Sequence, residues 1–385
     1  MRSAVKPLLA ATASCLLLVA APAGAAAKVL KVGPGDSIQA AVDKAEPGDT
    51  VQIAPGTYTE SSRECPPRPS RSCAVVVTKD DIKMVGRQGG HGKRVVLEVS
   101  RGQNEGISVG RQGGGGCLGD PSQRVHGFEV RNITVSGFED DGVLLSCVDG
   151  WHVTDVVAVG NQEYGIFPSH VVDGRVDHSY ASGANDTGFY VGQSSDSRMD
   201  HNVATGNVSG YEIENSVGIR ADHNLAFGNT GGILSFALPF LDAKVNSDNV
   251  IENNVVRDND RPNTCTDPED TVCQVPPGTG ILLVSADENL VRGNRVTGND
   301  SYGIAVANIC LAQELPEEVC AILDIDPDPD GNMVISNRVT GNGQDPAPSL
   351  PPVFAQDLVW DGTGLGNCWS GNVFGTSFPD PLPSC

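Results

Sequence analysis

Polar and apolar residues recur together every 22 to 23 residues in the central part of the chain. Three successive segments that begin at Arg175, Arg198 and Arg220 share the pattern Arg-x-Asp-His, and a glycine followed by apolar residues recurs at the same interval, as at Gly188 and Gly210. Short alternating apolar and polar stretches are broken by glycine and asparagine, without a helical period. A repeat this short, built from strands, predicts a solenoid with one coil per repeat.

The repeat also divides the chain. Regular coils are predicted from about residue 125 to residue 342, with long insertions at 257–279 and 309–331, and the proline-rich residues 343–385 are expected to form a C-terminal cover. Apolar residues at 38, 41, 42 and 45 are spaced as on one face of a short helix. Because a solenoid needs a cap over its first coil, we assign that role to this helix and treat residues 28–385 as one domain.

Alternation along one strand places two glutamates on the same face. Successive side chains of a strand point to opposite faces, so Tyr211 and Ile213 in the core require Glu212 and Glu214 to point away from it. Tyr190 is expected one coil below Glu212. Two neighbouring carboxyl groups raise each other's pKa, and one can then serve as an acid or a base. The alternative is an exposed strand face whose acidic residues serve solubility.

Further polar and aromatic residues surround this pair. Asp186 lies in the turn that leads into the Tyr190 strand, although Asn185-Asp186 is also a common turn-forming pair. Gln193 and Asn215 follow the two strands as hydrogen-bonding groups or as turn residues. We take as candidate catalytic residues Glu212, Glu214, Tyr190 and Asp186, and as candidate substrate-binding residues Gln193, Asn215, Phe236 and His170.

The Arg-x-Asp-His segments predict a second, charged face. Arginine and aspartate two residues apart point outward together and form two columns of charge along the solenoid. Because like charges about 4.8 Å apart repel, we expect a ladder in which each arginine neutralises nearby aspartates. A stripe that binds a polyanion is the alternative. His178, His201 and His223 are expected to stack at the adjacent turns as turn formers.

The formal net charge of −22 argues against nucleic acid and anionic membranes as partners. It also disfavours a strongly anionic substrate unless basic residues or calcium gather at the site. Asp326, Asp328 and Asp330 match the opening of a calcium-binding loop, but Asn337 stands where an EF-hand loop has glutamate. We take the three aspartates as candidate ligands of a looser calcium site, with a solvated acidic turn as the alternative.

Residues 1–27 predict an export signal cleaved near Ala27, because Arg2 and Lys6 precede an apolar stretch that ends in small residues. No later segment is apolar enough to span a membrane. Ten cysteines remain after cleavage, and an even number in an exported chain predicts disulfides. The neighbouring pairs are Cys65/Cys73, Cys117/Cys147, Cys265/Cys273, Cys310/Cys320 and Cys368/Cys385, although the sequence alone leaves their connectivity open.

The capping helix, the Pro-Gly-Asp-Thr-Val segment at 47–51, the asparagine-rich turns and the coil length resemble the right-handed parallel β-helix proteins of the pectate-lyase-like superfamily. Three stretches, GFYVGQS at 188–194, GYEIENS at 210–216 and NTGGILSFALP at 229–239, resemble a bacterial group within it. This resemblance implies an all-β, right-handed parallel β-helix and a carbohydrate-active enzyme, chiefly a lyase, hydrolase or epimerase.

Residues 164–170 partly resemble the Tyr-Gly-x-Asp-Pro-His-Asp signature of mannuronan C-5 epimerases. Phe167 replaces the first carboxylate of that signature, Ser169 intervenes before His170, and no aspartate follows. The departures argue against epimerase chemistry.

Together these observations predict a secreted monomer that acts on a polysaccharide or cell-wall glycan. The first hypothesis is a lyase that cleaves by β-elimination, with Glu212 or Glu214 as the base and Tyr190 as the acid. A uronate substrate would need its carboxylate neutralised by calcium or arginine, and the predicted face has no obvious arginine. The alternatives are a glycoside hydrolase on the same face and a non-catalytic glycan-binding or cell-wall scaffold.

Overall fold

The computed structural model describes residues 26–112, 114–266 and 270–385. Residues 1–25, most of the predicted export signal, lie outside the described residues. The strands form three long sheets, and each coil of the chain contributes one strand to each sheet in turn. The predicted β-solenoid is therefore confirmed. Within the described ranges, no helix is long and apolar enough to cross a membrane.

One sheet carries the Arg-x-Asp-His segments, and we call it the arginine sheet. Its strands pair in parallel from one coil to the next. They are Val29–Val32, Thr50–Ile53, Lys83–Gly86, Val125–Arg131, Val148–Thr154, Arg175–Asp177, Arg198–Asp200, Arg220–Asp222, Val250–Glu252, Leu290–Arg292, Met333–Ile335 and Cys368–Ser370.

The third sheet follows the arginine sheet in each coil. Its strands are also parallel. They are Gly56–Tyr58, Val95–Glu98, Ile133–Ser136, Val157–Val159, Tyr180–Ser182, Val203–Thr205, Leu225–Phe227, Val255–Arg257, Arg295–Thr297 and Arg338–Thr340.

The glutamate sheet, named for Glu212 and Glu214, completes each coil. All its pairs are parallel except the first two strands, which form an antiparallel hairpin. Its strands are Arg63–Cys65, Arg68–Val77, Glu105–Val109, Val143–Ser146, Ile166–Ser169, Thr187–Gly192, Ser209–Glu214, Gly231–Phe236, Thr279–Val284, Tyr302–Ala307, Leu358–Trp360 and Ser377–Phe378.

The interior of the coil is one apolar column that runs along the whole solenoid. Alternation fills it as predicted: Phe189, Val191, Tyr211 and Ile213 are all fully buried. The rings of Phe189 and Tyr211 stack 5.2 Å apart on successive coils. Side chains between these positions point away from the column, which places Glu212 and Glu214 on the outer face of the glutamate sheet.

Buried asparagine ladders join the coils at the turns. One ladder, between the arginine sheet and the third sheet, contains Asn202, Asn224, Asn254, Asn294 and Asn337. At each step the side-chain oxygen accepts hydrogen bonds from the backbone and side-chain nitrogens of the asparagine one coil earlier, as Asn254 does from Asn224 at 2.9 and 3.1 Å. These bonds satisfy buried polar groups that would otherwise destabilise the turn.

The helices of the described residues are short and lie at the cap, in the two insertions or in other loops between strands. The predicted cap is Ile38–Lys44, which begins after the N-cap Ser37 and buries Ile38 and Val42. The other α-helices are Gly114–Gly119, Ile309–Ala312 and Glu317–Cys320, and the 3₁₀-helices are Gly90–Gly92, Pro121–Gln123, Thr271–Gln274 and Pro352–Phe354.

The predicted limits of the regular coils were too narrow at both ends. Coils begin with the strand Val29–Val32, nearly a hundred residues before 125, because a hairpin at 63–77 and loops near 87–94 and 110–124 interrupt the repeat there. Residues 343–385 were expected to be only a cover. They also continue the sheets, since Leu358–Trp360 pairs with Tyr302–Ala307 and Cys368–Ser370 with Met333–Ile335.

All five neighbouring cysteine pairs lie within disulfide distance, as predicted: Cys65–Cys73, Cys117–Cys147, Cys265–Cys273, Cys310–Cys320 and Cys368–Cys385. Two of them close the insertions at 257–279 and 309–331. Each cross-link limits the conformations of the unfolded chain and so stabilises the folded loop.

We expect no free thiol in the chain that begins after Ala27, because all ten of its cysteines are paired. Titration of thiols in the denatured, unreduced protein measures this directly, with the reduced protein as the control that exposes all ten. Two or more free thiols per chain before reduction would contradict the pairing.

Candidate active site

The outer face of the glutamate sheet has the predicted register. Tyr190 pairs with Glu212, which pairs with Leu234, and Glu214 pairs with Phe236 on the next coil. The alternative of an exposed strand face does not hold here, because Glu212 is only 3% exposed and Tyr190 4%. Both glutamates point away from the core, yet neither lies on an open surface.

The face is covered by chain that leaves the coils. Residues 263 and 270–277 of the first insertion, 309–314 of the second and 349–354 line an open cavity of about 790 Å³ above this face. Asp186, Glu212 and Glu214 line one end of this cavity, together with Tyr164 from two coils below Glu212 and Asp270 from the first insertion. Loops on a rigid scaffold build a site here that strand periodicity alone could not show.

Asp186 and Glu214 are held by hydroxyl donors. The Tyr190 hydroxyl donates to Glu214 Oε1 at 2.8 Å, and Thr187 Oγ1 donates to Asp186 Oδ1 at 2.8 Å. Asp186 is therefore a buried member of the site rather than a mere turn former. Tyr190 lies behind the cavity, where its hydroxyl orients Glu214.

Burial sets the ionisation of the three carboxyl groups. It raises the pKa of Glu212 to about 8 and the pKa of Glu214 to about 7. Burial, followed by the nearby charge of Glu212, raises the pKa of Asp186 well above its ordinary value. The donor Tyr190 opposes the shift at Glu214 by stabilising its anion. Near neutral pH the site thus holds protonated and ionised carboxyl groups side by side, which acid–base catalysis requires.

An aromatic cluster extends the site toward the N-terminal coils. The rings of Tyr164 and Phe167 stack 4.2 Å apart, and the Phe167 and Tyr190 rings are 4.5 Å apart. The Arg68 guanidinium lies over Phe167 at 4.9 Å from the ring centre. Phe167, which replaces a carboxylate in the epimerase signature, is thus a packing residue next to the cavity.

The sequence did not single out Tyr164 and Asp270, which line the cavity, or Arg68, which lies beside it. Arg68 is the cation nearest to this cluster. It comes from the hairpin at 63–77, in a part of the chain where no repeat is visible, so nothing in its spacing predicted that it would reach this face. Its guanidinium is 3.1 Å from Glu105 and 3.1 Å from Asp141, and 4.0 Å from Glu163. These acids already neutralise Arg68, and it does not line the cavity.

Three predicted substrate-binding residues hold a loop instead of facing the cavity. Gln193, Asn215 and His170 occupy turns with positive φ, just after their strands. Asn215 donates to the carbonyls of Leu238 and Ala243, and Gln193 accepts from the backbone of Asp242. The His170 ring lies 3.3 Å from Asp242. Their side chains are therefore committed to residues 237–245. The fourth candidate, Phe236, does line the cavity.

The calcium prediction is not supported by the positions of its three aspartates. Asp326 accepts from the Asp328 backbone, Asp328 from Asn308, and Asp330 from the Leu365 backbone, so they face different partners. Calcium takes six to eight oxygen ligands. Within the part of the chain that the structure describes, no group of three or more His, Cys, Asp or Glu residues could hold a metal ion. Calcium binding by these three aspartates therefore stays a prediction.

The arginine sheet carries the predicted charge ladder. Arg175 binds Asp200 through two hydrogen bonds of 2.6 Å, and Arg198 binds Asp222 through two of 2.7 Å. The rings of His178, His201 and His223 stack 5.1 and 5.0 Å apart at the turns. Although burial alone would raise it, the bonds from Arg175 and His201 lower the pKa of Asp200. This face is a structural ladder.

Comparison with known proteins agrees with the architecture. A family model for a right-handed β-helix region matches residues 120–310. The A-module of the mannuronan C-5 epimerase AlgE4 from Azotobacter vinelandii aligns with a TM-score of 0.59 at 15% identity, over 89% of this chain and 93% of that chain. A search of curated proteins finds no match.

Two other similar structures are complexes with a bound molecule. DFA-IIIase from Arthrobacter chlorophenolicus A6, in complex with GF2, aligns with a TM-score of 0.57 at 16% identity, over 94% of this chain and 88% of that chain. A tailspike protein of E. coli bacteriophage HK620, in complex with a pentasaccharide, aligns with a TM-score of 0.57 at 11% identity. The alignment covers 90% of this chain and 61% of the tailspike chain. At these identities the likeness shows the fold.

The raised pKa values predict how stability depends on pH. Glu212 and Glu214 ionise at an ordinary pKa of 4.5 when unfolded but at about 8 and about 7 when folded. Between those values the folded protein binds more protons than the unfolded chain. The free energy of unfolding therefore falls as pH rises from about 4.5 to 8. Glu212→Gln and Glu214→Gln should each reduce this fall in urea unfolding measured across the range. Glu98→Gln, on the third sheet, is the control, and equal pH slopes in all four proteins would contradict the assignment.

Proposed function

We propose that this chain, a right-handed parallel β-helix of the pectate-lyase-like kind, is a glycoside hydrolase that cleaves a neutral glycan by acid–base catalysis. One observation carries the proposal: Asp186, Glu212 and Glu214 converge with raised pKa values at one end of a covered cavity. Two carboxyl groups, one protonated and one ionised, are what glycoside hydrolysis requires.

The pKa values assign the roles. Glu214 has the lower pKa, about 7, and Tyr190 donates a hydrogen bond to it, so it ionises first and acts as the base or nucleophile. Glu212, with a pKa of about 8, keeps its proton and acts as the acid that protonates the leaving oxygen. After burial, the charges of Glu214 and Asp270 help to hold the proton on Glu212, and the charge of Glu212 in turn raises the pKa of Asp186. Tyr190 is a positioning residue for Glu214.

The charge of the cavity favours a neutral substrate. No lysine, arginine or histidine occurs among the described residues that line it, whereas Asp270, Glu314 and Asp361 add further acids to the three carboxyl groups. The carboxylate of a uronate would therefore enter an acidic cavity without a cationic side chain to pair with it. Arg68, the nearby cation, is already held by Glu105 and Asp141.

β-Elimination is the second candidate, favoured by the contact between Tyr190 and Glu214. A carboxylate base bonded to a phenol acid is the pair that the lyase hypothesis requires. That chemistry would need a cation to neutralise the uronate, and the described lining supplies none. We therefore rank it below hydrolysis. A non-catalytic glycan-binding scaffold is the third, and it predicts that the glutamates are dispensable.

The compared structures support a glycan as the partner of this chain. Their descriptions name a mannuronan epimerase, an enzyme with bound GF2 and a tailspike with a bound pentasaccharide. Secretion is part of the proposal as well, because five disulfides are suited to an oxidising compartment.

Activity distinguishes the three candidates. We expect neutral polysaccharides to yield new reducing ends without unsaturated ends, whereas a lyase would give unsaturated ends from a polyuronate. Glu212→Gln and Glu214→Gln keep the shape of the side chain and remove its acid, so each should lower kcat by about a hundredfold or more. Glu98→Gln is the matched control and should retain full activity. Full activity in both site variants would exclude this face as the catalytic site.

The pH profile tests the role of Tyr190. Because one carboxyl must be ionised and one protonated, kcat/KM should rise near pH 7 and fall near pH 8. Tyr190→Phe keeps the ring packing and removes the donor to Glu214, so the rising limb should move to higher pH while the falling limb stays. If the maximum of kcat/KM falls but both limbs stay at the same pH, Tyr190 contributes packing alone.

A further inference from the structure

The cavity has two chemically different ends. Beyond Glu212 and Glu214, the next coil presents Leu234 and Phe236 at the paired positions, followed by Leu282 and Val284. The row that starts at Glu212 and passes through Leu234 and Leu282 continues with Ala305 and then Val359 on the next two coils. At about 4.8 Å per coil, this apolar floor continues for roughly 19 Å from the Glu212 strand.

The three covering segments add apolar side chains around the same floor. Val272 and Val275 come from the first insertion and pack with Leu234, Ile309 comes from the second and packs with Val284, and Leu350 and Phe354 come from 349–354. Leu282 touches all three of these apolar clusters and remains only partly buried. It lies at the centre of the floor, where the three segments meet.

This floor suits a hydrocarbon better than a chain of sugars. Burying a sugar hydroxyl against aliphatic side chains without a hydrogen-bond partner costs free energy. Among the sheet residues from Leu234 to Val359 that line the cavity, the polar side chain is that of Tyr302, whose hydroxyl is 3.1 Å from Thr279 Oγ1. The other polar lining residues at this end come from the covering segments and from the turn after Leu358–Trp360: Gln313, Glu314, Ser349 and Asp361. At the rim, Leu311 lines the cavity and is 57% exposed, so the apolar surface continues to the opening.

We propose that the substrate is a glycoside with an apolar aglycone. The aglycone lies along Phe236, Leu282 and Val359, and the sugar lies at the carboxyl end between Glu212 and Glu214. This inference rests on the proposed function for the position of the scissile bond, which joins the two parts where the acidic and apolar ends meet. Glu212 then protonates the oxygen that leaves with the aglycone as an alcohol when the anomeric C–O bond breaks, and water, with Glu214 as base or nucleophile, supplies the oxygen that replaces it on the sugar.

Alkyl β-D-glucosides test the apolar subsite by binding alone. We would measure their affinity for the full chain carrying Glu214→Gln by calorimetry, with butyl, hexyl and octyl chains below their micelle concentrations and free glucose as the reference. Each CH₂ that enters the floor should raise affinity about two- to fourfold. An affinity independent of chain length would overturn the proposal and leave the floor to the apolar face of another macromolecule or of a second copy.

A pair of variants locates the binding. Leu282→Gln places an amide at the centre of the floor and should lower octyl glucoside affinity by about tenfold or more. Ile322→Gln changes an exposed residue of the second insertion that does not line the cavity. It should change octyl glucoside affinity by no more than about twofold. If Leu282→Gln proves poorly folded, Leu282→Met serves as the comparison. It keeps an apolar side chain and should bind octyl glucoside about as tightly as the chain with Leu282. Equal affinity in all of these proteins would place the alkyl chain elsewhere and refute the subsite.

The outcomes separate this inference from the proposed function. Chain-length-dependent binding without hydrolysis of any glycoside would retain the apolar subsite and refute the hydrolase. Hydrolysis of neutral glycans that depends on Glu212, together with alkyl binding that does not depend on chain length, would retain the hydrolase and refute the apolar aglycone.

Discussion

The in-register stacking of coils is the constraint on which the rest of the structure depends. Side chains alternate between the faces of a strand, so a slip of one residue would turn Glu212 and Glu214 into the apolar column and Tyr211 out of it. The buried asparagine ladders oppose such a slip, because each step, such as Asn224 to Asn254, joins side-chain and backbone nitrogens to one oxygen of the next coil. Moving one coil would break bonds at several turns together and leave buried amides unsatisfied.

Register alone would give an open acidic face, and the insertions convert it into a site. By covering Glu212 and Glu214, they reduce the contact of both carboxyl groups with solvent and disfavour the charged forms. This raises both pKa values into the range where proton transfer is efficient at neutral pH. The same segments bring Val272, Ile309 and Phe354 over the neighbouring coils. The same loops thus raise the pKa values of the carboxyl groups at one end of the cavity and supply apolar side chains at the other end.

The sequence was informative wherever the repeat was regular. It predicted the solenoid, the capping helix, the inward position of Tyr211 and the neighbouring cysteine pairs, because these follow from period, alternation and spacing. It could not predict that Arg68 reaches Phe167 or that residues 349–354 cover the cavity, since both contacts join segments that are distant in sequence and outside the repeat. Gln193 and Asn215 were left open between hydrogen-bonding groups and turn residues for a related reason: their partners belong to residues 237–245, whose path has no periodic signal.

The central claim is that the glutamates of this covered face keep their protons near neutral pH. Carbon-13 NMR of selectively labelled glutamate side-chain carboxyls, followed between pH 4 and 9, measures this directly. Signals absent from the Glu212→Gln and Glu214→Gln proteins identify the two residues. The account predicts that these two signals titrate at about 8 and about 7. Titration of both near their ordinary 4.5 would contradict it and return the face to a solvated acidic surface.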